Sequence, residues 1–316
     1  MKKTNTEFLI HPEELNETWI ERAKAISLDR LTLHPWGGKN AHLSLERMLC
    51  DLETPKMRSL IDKLCDLGIE IGYEFHAGSY LLPRELFDTH PEYFRMDENG
   101  KRVQNLNFCF SNDDALKIVA KNAKKLANRL YRSSDTFYFW LDDAKDMGCK
   151  CPKCSQTSIS DHQLNVMNTI LAALREDRPN ARLCYLAYYE TMALPSSIKA
   201  SDGIFLEYAP IERDLNVPLS NAEQSSLDEL RSLVEFFGKK NAKVLEYWYD
   251  NSLFSKWKKP PVKFVAKNDV VRADVEFYSS LGFENISSFA CFLGDDYTEL
   301  FGEPDLSGFK KENFIL

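Results

Sequence analysis

Eight short apolar runs recur along the chain, and most are separated by a segment with apolar residues at three- and four-residue spacing. The runs are 30–36, 69–77, 106–111, 136–143, 182–190, 203–210, 243–250 and 286–293; the helical patterns fall at 45–68, 113–131, 160–177, 222–241 and 270–282. Short strands alternating with amphipathic helices predict an α/β chain, and eight such units fit a closed (β/α)8 barrel, the TIM barrel, better than a doubly wound sheet. A single domain over 1–316 is expected, with one N-terminal helix, 14–26, before the first strand and covering the barrel floor. The joint 191–202 carries no helical pattern.

Strand residues alternate between two faces, so each run yields an inward set and a helix-facing set. Taking the purely apolar sets as helix-facing leaves Thr32 and His34, Glu74 and His76, Asn107 and Cys109, Tyr138 and Asp142, Glu207, and Glu246, Trp248 and Asp250 pointing inward. Ionisable groups thereby gather at the C-terminal ends of the strands, where this fold places its chemistry. The bland alternative is a set of satisfied polar core residues.

Composition narrows the options. The formal net charge is −8, against a broad surface for nucleic acid or anionic membrane, and no run is long and apolar enough for an export signal or a membrane span. A cytoplasmic protein is expected. P-loop, G-x-G-x-x-G, H-E-x-x-H and G-x-S-x-G motifs are all absent.

The acids that remain suit glycoside cleavage, which needs one protonated carboxyl to donate to the leaving oxygen and a second, ionised one to attack or to activate water. Asp143 or its neighbour Asp142 is the expected acid, and Glu207 or Glu246 the base or nucleophile. His34, Trp36, Glu74, His76, Trp140, Tyr188, Glu190, Trp248 and Asp250 are expected to contact sugar, the aromatic ones through their flat faces. Should the sugar be a uronate, Lys39, Arg84, Arg102 and Lys145 are the cations within reach in sequence terms. No cofactor is expected for the chemistry. A metal-dependent hydrolase built on His34 and His76 is disfavoured, because no H-x-H pair ends the first strand.

Six residues after Asp143 begins C-x-C-x-x-C. Cys149, Cys151 and Cys154 together with Cys109 could converge on a structural zinc. A disulfide within the cluster and plain reduced thiols are the alternatives.

The middle of the chain, roughly residues 70 to 195, resembles a bacterial family of unknown function, number 4838 among such domains, which is similar in turn to α-glucuronidase-type and hexosaminidase-type glycoside hydrolase barrels. The resemblance rests on H-P-E-Y-F followed by G-K-R, the cysteine of NFCFS, the aspartate before C-x-C-x-x-C, the S-D that opens the next helix, and A-Y-Y-x-T. It implies a (β/α)8 barrel, a carbohydrate substrate and Asp143 in the acidic position of the motif. The expected activity is a glycoside hydrolase acting on a small oligosaccharide. A substrate-assisted N-acetylhexosaminidase-type hydrolase, with Asp142 orienting the substrate amide, and a non-catalytic carbohydrate-binding barrel are the alternatives.

Overall fold

A computed structural model describes residues 4–146 and 148–314. Eight strands close into a parallel barrel in chain order: β1 Asn5–Ile10, β2 Arg30–Leu33, β3 Glu70–His76, β4 Thr136–Trp140, β5 Arg182–Ala187, β6 Ile204–Tyr208, β7 Lys243–Glu246 and β8 Asn285–Phe289. The helices are α1 Glu17–Ala25, α2 Ala41–Asp51, α3 Pro55–Asp66, α4 Gly78–Leu81, α5 Asp113–Arg129, α6 Ile159–Asp177, α7 Gln224–Phe237, α8 Asn251–Phe254, α9 Asn268–Leu281 and α10 Asp295–Phe301. None among the described residues is long and apolar enough to cross a membrane.

The expected eight-stranded barrel is present and contains seven of the eight expected strands, but two assignments change. The first strand is Asn5–Ile10, so α1 follows a strand instead of preceding the first one. It packs Trp19 edge-on against Phe8 of β1, with centroids 6.3 Å apart, as a crossover helix does. The run 106–111 is not a strand. Leu106 and Asn107 have φ of 39° and 49°, in the left-handed region where an extended strand cannot continue. Its alternating Phe108 and Phe110 are buried and pack edge-on against each other.

The chain packs as two compact units. One comprises described residues 4–34, 54–72 and 206–314. Its strands carry a buried ion network: Lys243 Nζ lies 3.0 Å from Glu7 and 3.5 Å from Glu207, and Arg30 lies 3.9 Å from Glu7. Because β8 stands between β1 and β7, the Lys243–Glu7 contact spans the interior, and Lys243 points inward. Alternation then turns Glu246 outward, onto α9. There Tyr278 Oη donates to Glu246 Oε1 at 2.6 Å, Arg213 lies 3.3 Å from the same oxygen and also pairs with Asp274, and Trp248 Nε1 donates to Asp274 at 2.9 Å. The expected inward phase of Glu246 and Trp248 is therefore reversed. A lysine buried inside the barrel and a carboxylate buried under a helix invert the usual polarity of the two faces.

The second unit comprises residues 35–53 and 73–205. In it β3 and β4 run in register, Glu74 beside Tyr138 and His76 beside Trp140, so these four share a face. Tyr138 meets Phe205 of β6 at 5.5 Å, across the intervening β5, which makes that face the inner one. The joint after β5 lacks an α-helix, as its sequence predicts. Its backbone donors turn instead to Asp161 of α6, whose Oδ1 accepts from the N–H groups of Ser196, Ser197 and Ile198 at 2.8 to 3.0 Å. Burial raises the Asp161 pKa, but these bonds and one from Ser158 outweigh it and hold the carboxyl below its usual range.

Candidate active site

In the second unit the loops leaving β2, β3, β4 and β5 converge on the adjacent acids at the end of β4. The two acids have opposite surroundings. Asp142 is buried at 6% exposure, and both its oxygens are taken: Oδ1 accepts the Ser79 N–H at 3.0 Å, while Oδ2 accepts the Ser79 hydroxyl and the Asn107 N–H. The bond is returned, since Asp142 N–H donates to Asn107 Oδ1 at 2.8 Å. Room for this clamp depends on Gly78, where a β-carbon would lie 2.6 Å from Asn107 Oδ1.

Asp143, by contrast, is only partly buried. Tyr188 Oη donates to its Oδ1 at 3.0 Å. Tyr188 is itself fixed by Thr191, whose Oγ accepts the Tyr188 N–H at 3.1 Å and donates to Leu186 O at 2.8 Å. The next residue, Tyr189, adopts φ 47°, a strained conformation at the strand end that the A-Y-Y-x-T motif encloses. The buried His76 ring packs 5.1 Å from Trp140 and 6.4 Å from Tyr188, and its Nδ1 bonds Leu141 O at 2.6 Å, which fixes the ring's orientation. From the β2 loop Gly37 closes on both groups. A β-carbon there would lie 3.1 Å from Asp143 Oδ2 and 3.2 Å from His76 Cδ2. Beside Asp142 and Tyr188 opens a small cleft, walled by Asn107, Leu186 and Thr191. His76, Trp140, Asp143 and Tyr188 thus stand together, with Trp36 half-buried on the Gly37 loop and Glu74 wholly buried one register step below His76. Glu190 is exposed and caps the β4 loop by accepting the Asp146 N–H at 2.9 Å.

The remaining expected residues belong to the first unit. His34 is buried beside Phe289, 4.9 Å between rings, and His11, which sequence reading passed over, bonds His34 O at 2.9 Å. Glu207 and Glu246 are both 0% exposed and each faces a cation, Lys243 and Arg213 respectively. Burial pushes the Glu246 carboxyl up to about 7 even beside Arg213, and nearby Asp274 adds to the shift. Asp250 caps α8, accepting from the N–H groups of Ser252 and Leu253 and from the Ser252 hydroxyl, and burial raises it to about 6. Trp248 is buried on Asp274, as above.

Three of the four candidate uronate cations are engaged too. Arg84 donates to the carbonyls of Leu82, Gln104 and Asn107, and Arg102 donates to Phe94 O at 2.6 Å. Lys145 lies over the Tyr189 ring at 4.6 Å, and Lys39 is exposed on the β2 loop. Residues missed from sequence are Gly37, Gly78, Ser79 and Asn107 as packing and clamp groups. Only the W-G-G of 36–38 signals one of them locally.

Cys109, Cys149, Cys151 and Cys154 are all buried, with their sulfurs within 4.8 Å of one another. Cys109 meets this group from a loop instead of the expected strand end.

A search of curated protein sequences finds no match. The family profile "Domain of unknown function (DUF4838)" matches residues 56–289. Among solved structures, a mutant O-GlcNAc hydrolase from Thermobaculum terrenum superposes at TM-score 0.52 and 11% identity, covering 92% of this chain and 55% of that one. The catalytic domain of a hyperthermophilic chitinase from Pyrococcus furiosus matches at 0.50 and 11%, covering 100% and 95%. A β-galactosidase from the psychrophilic Marinomonas ef1 matches at 0.50 and 12%, covering 90% and 53%. The chain thus spans about half the length of that β-galactosidase. At these identities the likeness is one of fold, a glycoside-hydrolase-like barrel.

Proposed function

The chain belongs to the DUF4838 family, and from that premise we infer that it is a glycoside hydrolase whose general acid is Asp143 and whose substrate is a small oligosaccharide or glycoside. The observation that carries the reading is the divided state of the two adjacent acids. Asp142 has spent both oxygens on fixed donors, whereas Asp143, at the same strand end, keeps an oxygen beyond its bond to Tyr188.

The chemistry follows from that division. Tyr188 anchors Oδ1 and orients the carboxyl, leaving Oδ2 to carry the proton. As the glycosidic C–O bond breaks, that proton passes to the leaving oxygen and the anomeric carbon bonds to the oxygen of a water molecule, whose proton is released to solvent, from which Asp143 is reprotonated. His76 packs between Trp140 and Tyr188 and so backs the ring that anchors the carboxyl.

A second reading within the class is favoured by one observation. Glu207 and Glu246 are wholly buried against cations, so a 2-acetamido group on the substrate itself is an alternative source of the attacking oxygen. Asp142 in that case braces Asp143 and does not orient the amide.

The test is release of aglycone from a panel of aryl glycosides, with and without a 2-acetamido group, by the native protein and by Asp143→Asn. Turnover of at least one glycoside, lost in the variant at unchanged melting temperature, is expected. Turnover confined to 2-acetamido sugars selects the second reading. Sugar binding with no product, or equal rates in the two proteins, would overturn both.

A further inference from the structure

We propose that Cys109, Cys149, Cys151 and Cys154 bind one zinc ion in a closed tetrathiolate site that staples the loop after Asp143 to the segment 93–112. This does not rest on the glycosidase reading.

Geometry is the first support. Four sulfurs at ~2.3 Å from a central zinc lie ~3.8 Å from one another in a regular tetrahedron. The Cys109 sulfur lies 3.7 Å from that of Cys151 and 3.9 Å from that of Cys154, and all four fit within 4.8 Å. A disulfide requires ~2.05 Å. The other two buried cysteines, Cys184 and Cys291, stand outside this cluster.

The second support is the ring of donors aimed at the sulfurs. Met96 N–H donates to Cys149 Sγ at 3.3 Å, Arg102 approaches the same sulfur at 3.7 Å, and the Ser111 hydroxyl, 3.6 Å from Cys109 Sγ and 3.7 Å from Cys151 Sγ, can donate to either. His162 Nε2 bonds Cys154 O at 2.9 Å and fixes the turn. Four thiolates around a divalent ion leave a net charge of −2, and donors of this kind, one of them a guanidinium, stabilise such charge.

The third support is location. Asn107, which clamps Asp142, is two residues before Cys109, and Asp142 opens the loop that carries the other three cysteines. The clamp and the cysteine cluster therefore join the same two segments at two points. Lys150 N–H to Met96 O, 2.8 Å, adds a backbone tie between them. With four protein ligands no coordination position remains for water or substrate, so the ion is structural.

The test is metal analysis of protein purified without added metal, joined to cobalt exchange. About one zinc per chain is expected. Exchange into cobalt should give the intense visible bands and the sulfur-to-metal charge-transfer absorption of a tetrahedral thiolate site. Cys151→Ser should lose most of the zinc, whereas Cys50→Ser, exposed and outside the cluster, should keep it. Should Cys151→Ser fail to fold, the native chain still decides the matter: a mercurial that titrates the cluster thiols should release one zinc, lower the melting temperature, and be reversed by thiol plus zinc. Metal-free protein whose cluster thiols react at once with a disulfide reagent and whose melting is unmoved by zinc would overturn the proposal. So would an iron-thiolate spectrum in place of zinc.

Discussion

The end of β4 and the outer face of β7 both hold a pair of acids within hydrogen-bond reach of an aromatic hydroxyl or indole, yet they are built for different ends. At β7, Glu246 and Asp274 share Arg213, and both carboxyls are wholly buried. At β4, Asp142 is buried as well, but Asp143 only in part. What separates the bracing carboxylates from Asp143, the acid proposed above, is therefore not its place on a strand. It is whether fixed donors have consumed its oxygens.

Breaking the β7 side should give the largest change in stability. Arg213→Ala leaves two buried carboxylates without their cation, and a loss of ~3–5 kcal/mol is expected in urea unfolding. Asp142→Ala, at the other pair, strands the Ser79 and Asn107 donors. We expect a loss of ~1–3 kcal/mol, with the fold retained. Turnover should fall as well, because Asp143 is the next residue. A native-like melting curve for Asp142→Ala would remove the distinction drawn between the two aspartates.

Acid titration sharpens the contrast next. The folded chain holds the Glu246 proton up to about 7, above its ordinary 4.5. The folded state thus binds more protons than the unfolded one in that window, and stability falls as pH rises from about 4.5 to about 7. Glu246→Gln, neutral throughout, should remove this contribution. Melting temperatures of the two proteins compared from pH 4.5 to 7 measure it: the native protein should lose ground to the variant as pH rises. The smallest effect is expected at Tyr188→Phe, which deletes one hydrogen bond to Asp143. A bond of that kind contributes ~0.5–1.5 kcal/mol, so a several-fold fall in kcat with unchanged melting is expected.

Much of the barrel is legible from periodicity, because β/α alternation survives in seven of the eight strands. Each failure has a local cause. Residues 5–10 are a brief run with Glu7 at its centre, and that glutamate is legible as interior only once Lys243 is known to meet it. Residues 106–111 alternate like a strand, and only the backbone turn at Leu106 and Asn107 shows otherwise. On β7 the rule that polar faces point inward misled, since the helix side there supplies its own cation. At the site, residue spacing brought out Asp142, Asp143, His76, Trp140 and Tyr188, and the four cysteines. It could not tell the two aspartates apart. Asn107 and Ser79, which do so, are 35 and 63 residues away from Asp142. Nor could it show Gly37 closing on Asp143, an approach that exists only once the β2 and β4 loops are side by side.

Leaving-group dependence of the Asp143→Asn variant tests the central claim most directly. A general acid matters most when the departing oxygen is basic and least when it leaves unaided. On the best aryl glycoside series, the variant should lose ~10²–10⁴-fold in kcat/KM with a poor leaving group and progressively less as the phenol becomes more acidic. A rate loss of the same size across the whole series would contradict the assignment of Asp143 as the acid.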